Sequence, residues 1–424
     1  MRCLLLLLLT ASTAIAQTTD AALRDRVAQL LERLGDDETA DQAEESLIKL
    51  GPRALPLLPD PAPEGLKERL GKVRSAIEEQ AEEESLDASR VTIKGEGIRL
   101  SEALRALQSQ SGNPISDMRE LYGQDATNPA LDLDIEDRPF FEALDQIVKQ
   151  AGLTLVFYTG DGTIGLLAGG GDYGEEMMGV EHWRLYSGPF RIELREVALA
   201  ENFATGTRNG NVQLEVAWEP RLRPMLLSLG AAGIEIVDDR GEAVEPNVRD
   251  ESGTVVLRPE NPVAELNLNV NAPDRAAQKI GTLKVAAEVT VPAGNRVFRF
   301  PDLAASNVKQ EQGDIAVTLR SVEVDDFVWK VNVEVVYADA EGPAFESYRQ
   351  GLFNNRLWLQ RPDGSRFEQN GGFNQTGGGG GRLAFQYLFV DAPGKPSDYQ
   401  FVYETPSKVL TIPLEFEYEA VPLP

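Results

Sequence analysis

VTIKGEGIRLSEALRALQSQSGNPI (Val91–Ile115) and LDLDIEDRPFFEALDQIVKQAGLTL (Leu131–Leu155) align without a gap at a spacing of 40 residues. Glu96 matches Glu136, Glu102-Ala103-Leu104 matches Glu142-Ala143-Leu144, Gln110 matches Gln150 and Gly112 matches Gly152. Each copy opens with alternation: Val91 and Ile93 in one, Leu131, Leu133 and Ile135 in the other. Period two predicts a strand with one apolar face. Leu100, Ala103, Leu104 and Leu107 then recur at helical spacing, as do Phe140, Ala143, Leu144, Ile147 and Val148. A glycine stops each helix and a strand leaves it. The second copy continues through Leu153–Tyr158, a turn at Gly160-Asp161-Gly162, and Thr163–Leu167, which reads as a hairpin.

The resulting βαβ-βαββ order resembles the secretin and TonB short N-terminal domain. Leu100-Ser101-Glu102-Ala103-Leu104 with Gly112, and Phe141-Glu142-Ala143-Leu144 with Gly152-Leu153-Thr154-Leu155, carry the resemblance. It covers about a fifth of the chain. It implies an envelope module that docks other proteins and is not an enzyme. Residues 116–130 are an insertion relative to that pattern, and neither a pore-forming secretin domain nor a long receptor barrel follows. The docking role is therefore what the resemblance implies, without channel or transport functions.

Before this module the chain reads as helical. Leu23, Val27, Leu30, Leu31 and Leu34 keep helical spacing up to Gly35, and a second helix runs from Thr39 to Leu50. A third spans Glu64 to Glu84 and ends in a solvated acidic run. The stretch Ala40 to Leu58 resembles one HEAT-type repeat, which must lean on a neighbour to bury its face. After the module, Gly169-Gly170-Gly171 with Asp172, Gly174, Glu175 and Glu176 reads as a flexible linker. The remainder alternates with Gly, Pro, Asn and Asp punctuation, as antiparallel sandwiches do. Its strands are duplicated. Phe190–Val197 resembles Ile315–Val322, Val212–Trp218 resembles Val331–Tyr337, and Ile234–Ile236 resembles Leu357–Leu359. Thr282–Val291 and Val297–Phe300 read as separate strands, as do Tyr399–Tyr403 and Val409–Tyr418.

The expected fold class is thus multidomain: a short all-α N-terminal region, an α+β module, then two tandem antiparallel β-sandwiches of immunoglobulin-like order. The expected boundaries are a signal peptide at 1–16, a helical HEAT-like region at 20–86 and the α+β domain at 88–168. The Gly-rich linker at 169–182 leads to sandwiches at 183–303 and 304–424.

Arg2, the apolar run Leu4–Leu9 and the small residues Ala14-Ile15-Ala16 follow the order of a secretory signal peptide. Its removal takes away Cys3, the only cysteine, so the exported chain holds together by packing alone. Periplasmic or extracellular localisation in a bacterium is the expectation, with no later transmembrane segment. With 41 Lys+Arg against 68 Asp+Glu the formal charge is -27. That argues against general nucleic-acid binding, which needs a basic stripe, and against docking on anionic lipid.

Chemistry-bearing strings are few. Gly160-x-Gly162-x-x-Gly165 matches a dinucleotide string, but a strand follows it where the mechanism needs a helix. Ser46-x-x-Lys49 and Ser306-x-x-Lys309 match a serine–lysine nucleophile string whose companion motifs are absent. His182, the only histidine, has no ligand spacing around it. Asp238-Asp239 and Asp325-Asp326 fall in predicted turns, where Asp bonds its own backbone. Asp132, Asp134 and Glu136 share one strand face that could hold Ca²⁺, although a solvated polar face is the simpler reading. Trp218, Trp329 and Trp358 could form a sugar-stacking platform, with sheet packing as the default. Phe367 to Gly381 reads as a long loop.

The sequence therefore points to a non-enzymatic protein with no cofactor, no metal and no catalytic residue. It would bind an envelope protein through the α+β module. The first strand of each half offers edges for strand addition: Val91, Thr92, Ile93 and Lys94, and Leu131, Asp132, Leu133, Asp134 and Ile135. A carbohydrate-binding or adhesive protein acting through the sandwiches is the alternative.

Overall fold

The computed structural model describes residues 23–36, 38–59, 62–169, 183–247, 253–313, 315–337, 355–379 and 381–424. The expected signal peptide, His182 and all but the first residue of the expected linker lie outside them. The protein is mostly β, with several antiparallel sheets and a short helical N-terminal region. It divides into two units, residues 1–87 and 88–424.

In the first unit, α1 (23–34), α2 (Ala40–Lys49) and α3 (Lys67–Glu84) share a core of Val27, Leu30, Leu34, Leu47, Leu70, Val73 and Ile77. Arg69 on α3 reaches Asp41 on α2 at 2.7 Å. Among the described residues, no helix is long and apolar enough to cross a membrane.

The second unit opens with β1 (Arg90–Arg99), α4 (Leu100–Ser111), β2 (Ile115–Asp117), β3 (Ala130–Pro139), α5 (Phe140–Ala151), β4 (Leu153–Val156) and β5 (Ile164–Ala168). Both helices end on a left-handed glycine, Gly112 (φ 73°) and Gly152 (φ 64°), the conformation that halts a helix most cheaply. β1 and β3 pair antiparallel, and β2, β5 and β4 form a second, three-stranded sheet. Ile93, Leu133, Ile135, Leu107, Leu144, Ile147 and Leu166 lie in their common core.

A four-stranded sheet follows in the order β12 (Val263–Asn271), β8 (Thr207–Trp218), β7 (Phe190–Asn202), β6 (Arg184–Ser187). A seven-stranded sheet contains β9 (Leu226–Leu229), β10 (Ile234–Asp238), β11 (Gly253–Val256), β13 (Lys279–Phe300), β17 (Arg356–Gln360), β18 (Arg366–Glu368) and β21 (Gln400–Pro422). A five-stranded sheet runs β14 (Val308–Gln312), β15 (Ile315–Asp325), β16 (Val328–Tyr337), β20 (Arg382–Val390), β19 (Phe373–Gly379).

The expected strand pairs 282–291 with 297–300, and 399–403 with 409–418, are in fact two continuous strands of 22 and 23 residues. β13 and β21 pair from Lys279↔Pro422 to Phe300↔Phe401 without a register shift. At about 3.3 Å per residue the ribbon is roughly 70 Å long. Pro292 and Pro406 read as strand ends in the sequence. Among the described residues no third strand pairs with the ribbon at these positions, so their missing N–H groups cost no ladder bond.

The parity of the buried positions changes along the ribbon. Leu283, Val285, Val289 and Val291 are buried in the first part of β13, and Phe298 and Phe300 in the last. The switch falls around Gly294, whose φ of 60° interrupts the alternation, while the register between the two strands stays unbroken. Phe298, Phe300, Phe401 and Tyr403 share a core with Val317, Val333, Phe385 and Phe389 of the five-stranded sheet. At the other end Leu414, Phe416 and Tyr418 are buried, and the Tyr418 hydroxyl donates to the Trp183 carbonyl at 2.9 Å. The expected boundary between 303 and 304 is therefore crossed by this pairing, since residues 409–422 return to the strands that precede it.

The α+β module is fixed to the outer face of the four-stranded sheet. Ala217 and Val263 belong to the module's own core cluster. The first five residues of β7 are all buried, Arg191 and Glu193 included, because both faces of the strand are covered there. Arg191 donates to Asp145 of α5 (2.9 Å) and to Glu193 (2.5 Å), and its guanidinium lies 5.6 Å from the Phe157 ring centre. Arg184 and Arg195 also pair with Glu193. Burial alone would raise the Glu193 pKa. Arg191, Arg195 and Arg184 outweigh it and hold the carboxyl below its ordinary range. A second knot forms at Glu219, which is fully buried. It accepts from Ser89 N (2.8 Å), Ser89 Oγ, Asn113 Nδ2 (2.8 Å) and Arg221 Nε (2.7 Å).

Two outcomes are expected. Removing one partner from a buried, charge-paired cluster costs about 3 kcal/mol or more. Glu219→Ala should therefore lower the urea midpoint of the second unit by that equivalent, read by tryptophan fluorescence, since all four tryptophans lie in it. The Glu193 contribution is complete above the ordinary carboxylate pKa of about 4.3 and is lost as pH falls through the depressed folded value. Thermal midpoints should therefore fall on acidification below about pH 4, and Glu193→Gln should shrink that fall.

Candidate partner-docking edge

The structure brings all nine residues expected to bind a partner into one antiparallel pair, with Ile93 opposite Ile135 and Lys94 opposite Asp134. Their side chains divide. Val91, Ile93, Leu131, Leu133 and Ile135 are buried in the module core, while Thr92, Lys94, Asp132 and Asp134 face solvent. The five apolar residues thus hold the strand pair in place, and the four polar side chains are the ones left accessible.

A two-stranded sheet leaves each strand one outer edge. In both halves a glutamine from the last helical turn reaches that edge. Thr92 N–H donates to Gln110 Oε1 (2.9 Å), and Gln110 Nε2 donates back to the Thr92 carbonyl (3.1 Å). Gln150 Nε2 donates to the Asp132 carbonyl (2.9 Å). These are the matched glutamines of the repeat. Sequence reasoning found the match without its purpose, because a helical Gln beside a stop glycine reads as solvated.

The carboxylates of β3 are engaged on their own sheet. Asp132 accepts the Gly97 N–H at 2.8 Å, and Lys94 pairs with Glu136 and lies 3.7 Å from Asp134. Among the described residues, no group of three or more His, Cys, Asp or Glu is placed to hold a metal ion.

The insertion at 116–130 builds a rigid turn that sequence reasoning left unassigned. Arg119 is buried and grips Asp117 at 2.9 and 2.6 Å, holding that carboxyl below its ordinary pKa. Gln124 takes the Ala168 N–H at 2.8 Å. The turn presents Leu121 and Tyr122 to solvent at 78% and 61% exposure, an adjacent apolar pair beside charged neighbours.

The other singled-out motifs fall elsewhere. In the glycine string, Gly160 N–H donates to Asn261 and Gly162 N–H to the Glu260 carbonyl, so these amides dock the hairpin on the following domain. Lys49 is held by Glu45 at 2.7 Å. Trp218, Trp329 and Trp358 are buried, so their rings offer no sugar platform. The expected loop at 367–381 contains β19, which pairs with β20.

No family model matches the chain, and no curated protein matches it. Among solved structures, a crystal structure of a conserved domain protein from Bacillus anthracis is similar at 8% identity. The likeness covers 57% of this chain and 90% of that one, with a TM-score of 0.17, too slight to support a fold or a function.

Replacing Gln110 with Ala should speed hydrogen exchange of the Thr92 amide about fivefold, the loss of one net hydrogen bond. The neighbouring Ile93 amide should keep its rate. Amide-resolved exchange would check both.

Proposed function

We propose that this is an exported bacterial envelope protein, periplasmic or extracellular, that binds another protein through its α+β module and carries out no catalysis. The module is read as a relative of the secretin and TonB short N-terminal domain, preceded by a HEAT-like region and followed by two immunoglobulin-like sandwiches. One observation carries the reading. Among the described residues, the β1–β3 sheet keeps two outer edges without a neighbouring strand, on a module anchored to the four-stranded sheet through Arg191 and Glu219. A fixed platform with an open edge suits strand addition, because little ordering is left for binding to oppose.

Crosslinking the full chain at native level in its own envelope, with crosslink positions read by mass spectrometry, tests this. Crosslinks to one envelope protein are expected at Lys94 and Lys149, both exposed near the edges. Asp132→Pro removes an outward N–H, together with the exposed carboxylate bond to Gly97, and should abolish the crosslinks at a stability cost of about 1 kcal/mol. Crosslinks confined to residues 183–424, or unchanged by Asp132→Pro, would overturn the reading.

A further inference from the structure

The two edges are not equivalent. Gln110 engages both the N–H and the carbonyl of Thr92, so the β1 edge is closed at that residue. Gln150 engages only the Asp132 carbonyl. The pairing of Ile93 with Ile135 and Gly95 with Leu133 turns the backbone groups of Asp132, Asp134 and Glu136 to the outer edge, since successive residues alternate. The side chains of the same three residues stand on the exposed face. Against these three carboxylates the sheet supplies Lys94, with Arg90 spent on Asp137 at 3.0 Å and Arg138 also exposed at the strand end. The face along β3 is thus acidic, in a chain of formal charge -27.

Resting on the docking reading, we infer that the outer edge of β3 takes an extended, basic polypeptide segment as an added strand, and that Gln150 is the placeholder this segment displaces. The incoming strand presents an N–H to the Asp132 carbonyl and sets Lys or Arg at alternate positions over Asp132, Asp134 and Glu136. Cross-strand pairs of opposite charge favour that register, and like charges oppose it. The net negative field speeds the encounter. The doubly held β1 edge, with Lys94 and Arg90 on its face, does not take such a strand.

The probe is a synthetic peptide with the sequence of β1, RVTIKGEGIR, which already pairs with β3 from the inner side. It is titrated against the full chain by fluorescence anisotropy. A counterpart with glutamate at its three cationic positions serves as the control. Binding of the basic peptide alone is expected, weakened by salt. Gln150→Ala should tighten it about fivefold, the release of one competing hydrogen bond, and Gln110→Ala should leave it unchanged. Amide exchange should slow at Asp132, Asp134 and Glu136. No binding to either the native chain or Gln150→Ala, equal binding of both peptides, or indifference to Gln150→Ala each overturns the inference. Peptide binding of the expected pattern with no envelope protein crosslinked would keep this edge chemistry and retire the docking reading. A crosslinked partner with an indifferent peptide would do the reverse.

Discussion

The uninterrupted hydrogen-bond ladder between β13 and β21 is the constraint on which residues 88–424 depend. A ribbon of two long strands packs its first part with the first set of strands and its last part with the second. Neither body closes without it. No register shift intervenes, and the buried positions pass from odd (Val289, Val291) to even (Phe298, Phe300) around Gly294, whose φ of 60° interrupts the alternation. Between them the ribbon is two strands wide, and there it tolerates the prolines a central strand would reject.

From this frame outward, each layer positions the next. The four-stranded sheet is covered on one side by the ribbon's first part and on the other by the α+β module. β7 is buried on both faces, and its Arg191 and Glu193 are satisfied only by reaching Asp145, Arg184 and Arg195. That network and the Glu219 cluster fix the module's orientation. The β1–β3 sheet is therefore held as part of a stiff body.

The repeat made the module legible. Strand, helix and stop glycine were each written twice, and the helices begin and end where the pattern put them, Leu100–Ser111 and Phe140–Ala151. The ribbon was not legible, because Pro292-Ala293-Gly294 and Thr405-Pro406 carry turn chemistry that only tertiary pairing overrides. The burial of Arg191 and Glu193 was not legible for a related reason: charges at alternate positions fit a solvent face unless another domain covers them. β19 was hidden by glycines, whose pairing comes from the neighbouring strand and not from their own propensity. At the candidate site the strands were legible, and the glutamines were visible as a match. Their hydrogen bonds depend on how far the last helical turn reaches, which spacing does not encode.

The return of residues 409–422 to the first set of strands bears on the order of folding. A chain that emerges from its N-terminus makes the module and the four-stranded sheet early. The partner strand of Leu283, Val285 and Val289 arrives more than a hundred residues later, after the whole second core has passed. Until then a long apolar strand edge waits uncovered. The non-local pairing makes closure slow and places it last. The first core is thereby locked by the final strand, and its completion reports that the segments between have already been laid down.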